Sequence, residues 1–219
     1  MSGMALVDLS QQIWPGMPRI RVLPEVDLQP VRRIAEGHPL NISELKVATH
    51  AGTHVDAPWH FVANGRTIDQ IPLDDLRGSA VVVPIDRRAR EPIPAADLEH
   101  SPEPIRPGDI VVLATGWGAR FESPEYEEHP YVSEEAAQWL VDRRAKMLGL
   151  DLITVDLPQA MRPTPFGYPV HHLLLGNKVL IIENLTNLDD LRGRRVMLYA
   201  FPLAIRGADG AQARVVAET

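Results

Sequence analysis

Short apolar runs separated by Pro, Gly and Asp recur along the chain, a punctuation that predicts strands joined by turns. The clearest runs cover residues 80–85, 109–114, 150–155, 178–182 and 196–201. A different spacing predicts a helix over about 133–148. Ser133 is placed to cap it, Glu134 and Glu135 suit its positive end, and Arg143, Arg144 and Lys146 suit the other. Ala136, Leu140, Met147 and Leu148 fit one buried stripe, with Gly149 as a left-handed stop. A shorter helix is expected over 170–175, ending at Gly176. The proline-rich stretch 91–107 reads as a surface connection. No repeat or shift in composition divides the chain. The pattern predicts the α/β class with a strong β component, and one domain over residues 1–219.

Composition narrows the chemistry more than the fold. The 219 residues are 45% hydrophobic and 23% charged, as in ordinary globular proteins. A net charge of −7 argues against nucleic acid or anionic membranes as partners, because both reward basic surfaces. No run reaches the roughly 20 apolar residues of a membrane span, and residues 1–10 lack the features of a secretory signal. A cytoplasmic location is the expectation. There are no cysteines, so disulfides and thiolate metal sites are excluded. Any metal must be held by imidazole and carboxylate.

One segment concentrates such groups. His50, His54, Asp56 and His60 all fall at even positions, with Gly52 and Pro58 between them. An extended chain has a side-chain period of two and turns all four to one side. A helix aligns His50 with His54 but leaves Asp56 off that face, and Pro58 would break it. A straight strand fails on reach, since it sets His50 and Asp56 roughly 20 Å apart. If the three share an ion, the backbone bends near Gly52 and turns at 56–58. A lone histidine would be read as core filling; four ligand-type residues on one face, with Gly and Pro where a bend needs them, are not.

Glu183 follows the apolar run 179–182, where a carboxylate is costly unless paired or bound to a cation. It either ends the strand at the surface or serves a site. Asp151 and Asp156 are weaker candidates, because aspartates at strand ends often only form turns. His38, His100 and His129 lie in polar, proline-rich surroundings and are expected to be exposed. Ser43 and Ser79 lie in no nucleophile-elbow context, so covalent catalysis has little support.

The segment His50-x-Gly-Thr-His54-x-Asp56-x-Pro-x-His60 resembles the signature of the metal-dependent cyclase-like hydrolases, a family that includes bacterial kynurenine formamidase. Asp8-Leu-Ser, 108–117, 149–156, 179–185 and Ala208-Asp-Gly210 with Arg214 are similar to that family as well, so the resemblance spans almost the whole chain. It implies a mixed sheet or barrel-like core with flanking helices, of the swivelling β/β/α type. It implies that His50, His54 and Asp56 hold one divalent metal, Zn2+ or Mn2+. Asp56 and Glu183 would bridge to a second metal that His171, twelve residues before Glu183, also binds. His172 becomes a packing histidine or one that supports a ligand from behind. His60 becomes the proton-transfer residue, or else a third ligand to a single zinc.

Metal-activated water, hydrolysis of an arylformamide such as N-formyl-kynurenine or a related lactam, and a dimer or tetramer of identical chains are further implications. The family's tryptophan after the N-terminal aspartate has no match near 21–25, so Trp14 or Trp59 is left to supply an aromatic wall, or the substrate differs. Arg162 either pairs with a substrate carboxylate or is a solvated loop residue. The competing readings are a metal-dependent cyclase or lyase using His60 as base, and a non-catalytic binding protein with a closed metal site.

Overall fold

The computed structural model describes residues 5–219. Twelve strands alternate with short helices and single 3₁₀ turns. The strands are β1 (Leu6–Asp8), β2 (Asp27–Arg32), β3 (Ile42–Lys46), β4 (His54–Asp56), β5 (Arg77–Pro84), β6 (Pro92–Ile93), β7 (Ile110–Ala114), β8 (Tyr131–Val132), β9 (Met147–Leu150), β10 (Leu180–Glu183), β11 (Arg195–Pro202) and β12 (Gly210–Glu218). The α-helices are α1 (Ala95–Glu99), α2 (Glu134–Asp142) and α3 (Pro169–Gly176).

Eight strands form one mixed sheet in the order β1-β12-β11-β5-β7-β9-β10-β4, and β4 pairs back onto β12. That second pairing closes seven of the strands into a barrel and leaves β1 on its outside edge. β5, β7, β9 and β10 run parallel, and the remaining neighbours are antiparallel. The fold is therefore the β-rich α/β class, with the barrel-like core that the resemblance implied.

Alternation along the strands divides the apolar residues into two sets, as a period of two requires. Ala80, Val82, Ile110, Val112, Leu180, Ile182, Val55 and Ala211 pack together inside the barrel. Their neighbours Val81, Val83, Val111, Leu113 and Ile181 point outward, where they meet Ala136, Ala137 and Leu140 of α2 and Val170, Leu174 and Leu175 of α3. The functional residues sit on this outer, helix-covered face.

Helix α2 is shorter than the 133–148 expected. Ser133 does cap it, accepting from the Ala136 N–H at 3.0 Å. The helix ends at Asp142, and Arg144 takes a left-handed φ of 56°. Met147 and Leu148 then belong to β9, between β7 and β10, and Gly149 lies inside that strand rather than stopping a helix. The two apolar positions after the basic residues fit a helical stripe by spacing alone, but the barrel needs them as a wall. For the same reason the strand expected at 150–155 starts earlier, at Met147, and residues 151–155 form a loop. The proline-rich stretch is also more than a surface connection, because it contains β6 and α1 and buries Ile93, Ala95 and Leu98. Among the described residues no helix is long and apolar enough to cross a membrane.

Candidate functional site

The local backbone explains how the residue-50s cluster closes. Residues 49–53 form a turn in which Gly52 adopts a φ of 69°, a conformation that favours glycine. The chain then enters β4, whose register sets His54 opposite Glu183 and Asp56 opposite Ile181 on β10. Val55 points into the barrel, so His54 and Asp56 point out. After β4 a 3₁₀ turn at Pro58–His60 brings His60 back over the cluster. The bend at Gly52 and the turn that follows Asp56 are the two features that the spacing required.

The geometry brings all the candidate residues together. His50 Nδ1 lies 2.8 Å from Asp56 Oδ1, and His54 Nε2 lies 3.2 Å from that same oxygen. His54 Nε2 is 3.5 Å from Glu183 Oε2, while His171 Nε2 is 3.4 Å from Glu183 Oε1 and 3.6 Å from Asp56 Oδ2. Glu183 is buried and accepts the Val155 N–H at 3.2 Å, so it is a site residue and not a surface strand end. His60 stacks on His50 with ring centroids 3.8 Å apart and has its Nδ1 3.3 Å from Asp209 Oδ2. His172 is exposed and meets Phe61 edge-on, away from the carboxylates.

The supporting contacts fix which atoms face the site. The Gly52 carbonyl can only accept, so His54 Nδ1, 2.8 Å away, carries the proton and leaves Nε2 as a free lone pair. Asn184 Nδ2 donates to the same carbonyl at 3.0 Å and holds it in place. Asp156 Oδ2 accepts from His171 Nδ1 at 2.5 Å, and its carboxylate also takes the Val170 N–H at 3.1 Å at the start of α3. One aspartate thus anchors both the helix and the ring that the helix carries. Asp209 plays the matching part for His50, with Oδ2 2.8 Å from Nε2 and Oδ1 accepting from Thr49 Oγ1 at 2.9 Å. Gly210 makes room for this contact, because a Cβ there would lie 2.8 Å from His50 Cε1.

Asp209 and Asp156 are the candidate site residues that sequence reasoning missed or weighed lightly. Their only signal was position: Asp209 lies in the 208–210 stretch and Asp156 ends the 149–156 stretch. Asp151 is held by Thr115 and the Gly118 N–H, which makes it a loop anchor. His38 and His100 are exposed as expected, but His129 is buried, with Nδ1 2.7 Å from the Pro130 carbonyl. The proline-rich surroundings that suggested exposure there fold over the ring.

Carboxylates dominate the electrostatics of the cluster. Burial alone would drive His50 toward neutrality, but Asp56 and Asp209 outweigh it and raise its pKa to about 10. Burial is likewise outweighed at His171, whose pKa Asp156, Asp56 and Glu183 raise well above the usual imidazole value. Asp56 itself is held well below the carboxylate range, its burial outweighed by the charge and hydrogen bond of His50. His60 differs: burial is the largest influence and lowers its pKa, so it is neutral near pH 7.

Of the five buried side-chain atoms without a hydrogen-bond partner among the described residues, two, His54 Nε2 and Asp56 Oδ2, belong to this cluster. Leaving such atoms orphaned is costly, and both point into the cluster, where a cation would satisfy them. The donor set of imidazoles and carboxylates suits a divalent ion such as zinc or manganese. His50, His54 and Asp56 offer ligand atoms within 4.8 Å of one another, as do Asp56, His60 and His171, and also His50, His60 and Asp209.

Beside the cluster lies a cavity of about 140 Å³, lined by Ile20, Val22, Leu23, Phe61, Tyr168 and Arg162. His50, His60, His171, Glu183 and Thr154 complete its lining. Neither tryptophan proposed for the aromatic wall is part of it. Trp14 packs edge-on against Phe121, and Trp59 is largely exposed. Phe61 and Tyr168 supply the wall instead.

A family model described as "Putative cyclase" matches residues 7–157, well over half of the chain. The chain belongs to the cyclase family. It is similar to the kynurenine formamidase of Erythrobacter litoralis (strain HTCC2594), 30% identical over 209 residues that cover 95% of this chain and 91% of that protein. A solved structure described as a potential metal-dependent hydrolase with cyclase activity superposes with a TM-score of 0.80 at 30% identity, covering 99% of this chain and 98% of the other. Isatin hydrolase A from Ralstonia solanacearum superposes with a TM-score of 0.87 at 26% identity, covering 99% and 92%. The barrel and its helices are thus the cyclase-family fold over essentially the full length.

Proposed function

We propose that this chain is a metal-dependent hydrolase that cleaves the C–N bond of a small aryl amide, either an N-formyl arylamine such as N-formyl-kynurenine or a related lactam. The observation that carries this reading is the pair of orphaned buried atoms, His54 Nε2 and Asp56 Oδ2, aimed at a site that opens onto an aromatic-walled cavity. The kynurenine formamidase and isatin hydrolase relatives support the choice of bond, since both are named for acting on aromatic nitrogen compounds.

His50, His54 and Asp56 would hold one ion, and Asp56, His171 and Glu183 a second. A divalent ion bound there polarises a carbonyl oxygen and lowers the pKa of a water toward neutrality. The protein supplies the rest. His60 is neutral near pH 7, lines the cavity and lies beside the ligand cluster, which suits it to take a proton from water and return it to the leaving nitrogen. The water oxygen ends on the carbonyl carbon, the C–N bond breaks, and the amine leaves with the proton that His60 carried. Phe61 and Tyr168 offer flat apolar faces to an aryl ring.

The test joins metal analysis to an assay with N-formyl-kynurenine, formanilide and isatin. Chelation should abolish turnover, and Zn2+ or Mn2+ should restore it. Reaction in oxygen-18 water should leave one labelled atom in the acid product. Full turnover with the ion content driven far below stoichiometric would defeat the metal mechanism, and an unlabelled product would favour cyclase or lyase chemistry.

A further inference from the structure

Arg162 stands in the loop between β9 and α3, and its guanidinium is held without being neutralised. Its Nε donates to the Leu157 carbonyl at 2.8 Å. Its Cζ lies 5.2 Å from the centroid of Phe166 and 5.1 Å from that of Tyr168, so two aromatic rings flank the charge. Among the described residues no carboxylate forms an ion pair with it within 4.0 Å. Glu183, the carboxylate of the same cavity, is engaged with His54 and His171. His129, which feels the arginine's charge, is kept neutral mainly by its own burial. The two Nη groups form no hydrogen bond among the described residues, yet the residue lines the cavity together with the apolar Ile20, Val22, Leu23 and Phe61 and the residues of the ligand cluster.

A guanidinium held in place without an ion-pair partner, in the lining of a cavity that combines apolar walls with the ligand cluster, has a defined chemical complement. The planar fork matches a carboxylate through two parallel N–H···O bonds. A volume of about 140 Å³ is close to the ~150 Å³ of an apolar cavity that takes up benzene, which is room for about one aromatic ring. We propose that Arg162 is a specificity-determining residue that binds a carboxylate carried by the aromatic substrate, so that the preferred substrates are anionic aryl amides. This deepens the hydrolase reading and rests on it.

Two substrates differing only in that group test the assignment: 2-formamidobenzoate, which carries a ring carboxylate, and formanilide, which does not. The wild-type enzyme should favour the carboxylate by tenfold or more in kcat/KM. In Arg162→Met that preference, read as the ratio of the two kcat/KM values, should fall by about 10- to 100-fold, the scale of a lost charge-assisted pair. Arg162→Lys keeps the charge and should recover part of the selectivity, which a purely structural role of the arginine in the loop would not produce. Equal losses on both substrates, or no wild-type preference, would overturn the proposal.

A binding arm separates its failure from that of the function. Fluorescent 2-aminobenzoate should bind the wild-type protein at least tenfold more tightly than it binds Arg162→Met, with aniline as the uncharged control. If neither amide is hydrolysed but this difference persists, the carboxylate site stands and the hydrolase reading fails. If the difference is absent, the carboxylate site itself is wrong.

Discussion

His60 and Asp209 divide the work around His50 in different ways. His60 stacks on that ring and faces the cavity, whereas Asp209 hydrogen-bonds its far nitrogen at 2.8 Å. His60→Gln should lower kcat by about 10² to 10⁴, the range for a lost proton-transfer group, with the ion content unchanged by elemental analysis. A variant that loses its ion would make His60 a ligand instead. Asp209→Asn should weaken metal affinity by about 10- to 100-fold, as loss of a carboxylate behind a ligating histidine does. Competition against a chromophoric chelator measures this directly, and an unchanged affinity would strip Asp209 of that part. The His/Asp segment was legible because its residues lie within eleven positions and share one face. Asp209 was not, because its partner His50 is 159 residues away and the contact exists only once β12 lies beside β4.

Among the elements, those whose pattern has one solution were readable and those with two were not. β5, β7, β10 and β11 follow from apolar runs bounded by turn residues. The stretch after Asp142 did not, since Met147 and Leu148 satisfy a helical stripe and a barrel wall equally well. Only the pairing of Met147 with Ile110 and Leu180 decides it. Three-residue β4 was visible through its chemistry rather than through its hydrophobicity. Its fit against β12 leads to a sharp expectation for Gly210, where an added Cβ would lie 2.8 Å from both His50 Cε1 and the Val55 carbonyl. Gly210→Ala should cost about 1–3 kcal/mol by overpacking and should also weaken metal binding. Gly176→Ala, which meets nothing within 4 Å, is the control. Denaturant melts of the three proteins decide it, and equal stabilities would mean that β12 shifts to accommodate the methyl.

At the scale of the whole molecule, acid should destabilise the protein through His129. Burial holds this histidine at a pKa of about 4, against 6.5 in its ordinary state. Between those values the unfolded chain binds a proton that the native chain refuses, so stability falls as pH drops from about 6.5 to 4. The difference amounts to about 3 kcal/mol. Metal-free wild type should lose that much more than His129→Gln between pH 7 and pH 4 in urea titrations; parallel losses would assign the acid sensitivity elsewhere. The barrel adds a dependence of another kind. Its circumference is completed by three residues, His54–Asp56, which join β10 to β12, and two of the three are candidate ligands. An ion gripping those side chains is therefore also a clasp on the hoop. Stripping it should leave most of the staves intact while the backbone amides along this joint trade their hydrogens for deuterium first, well before those of β5 or β7.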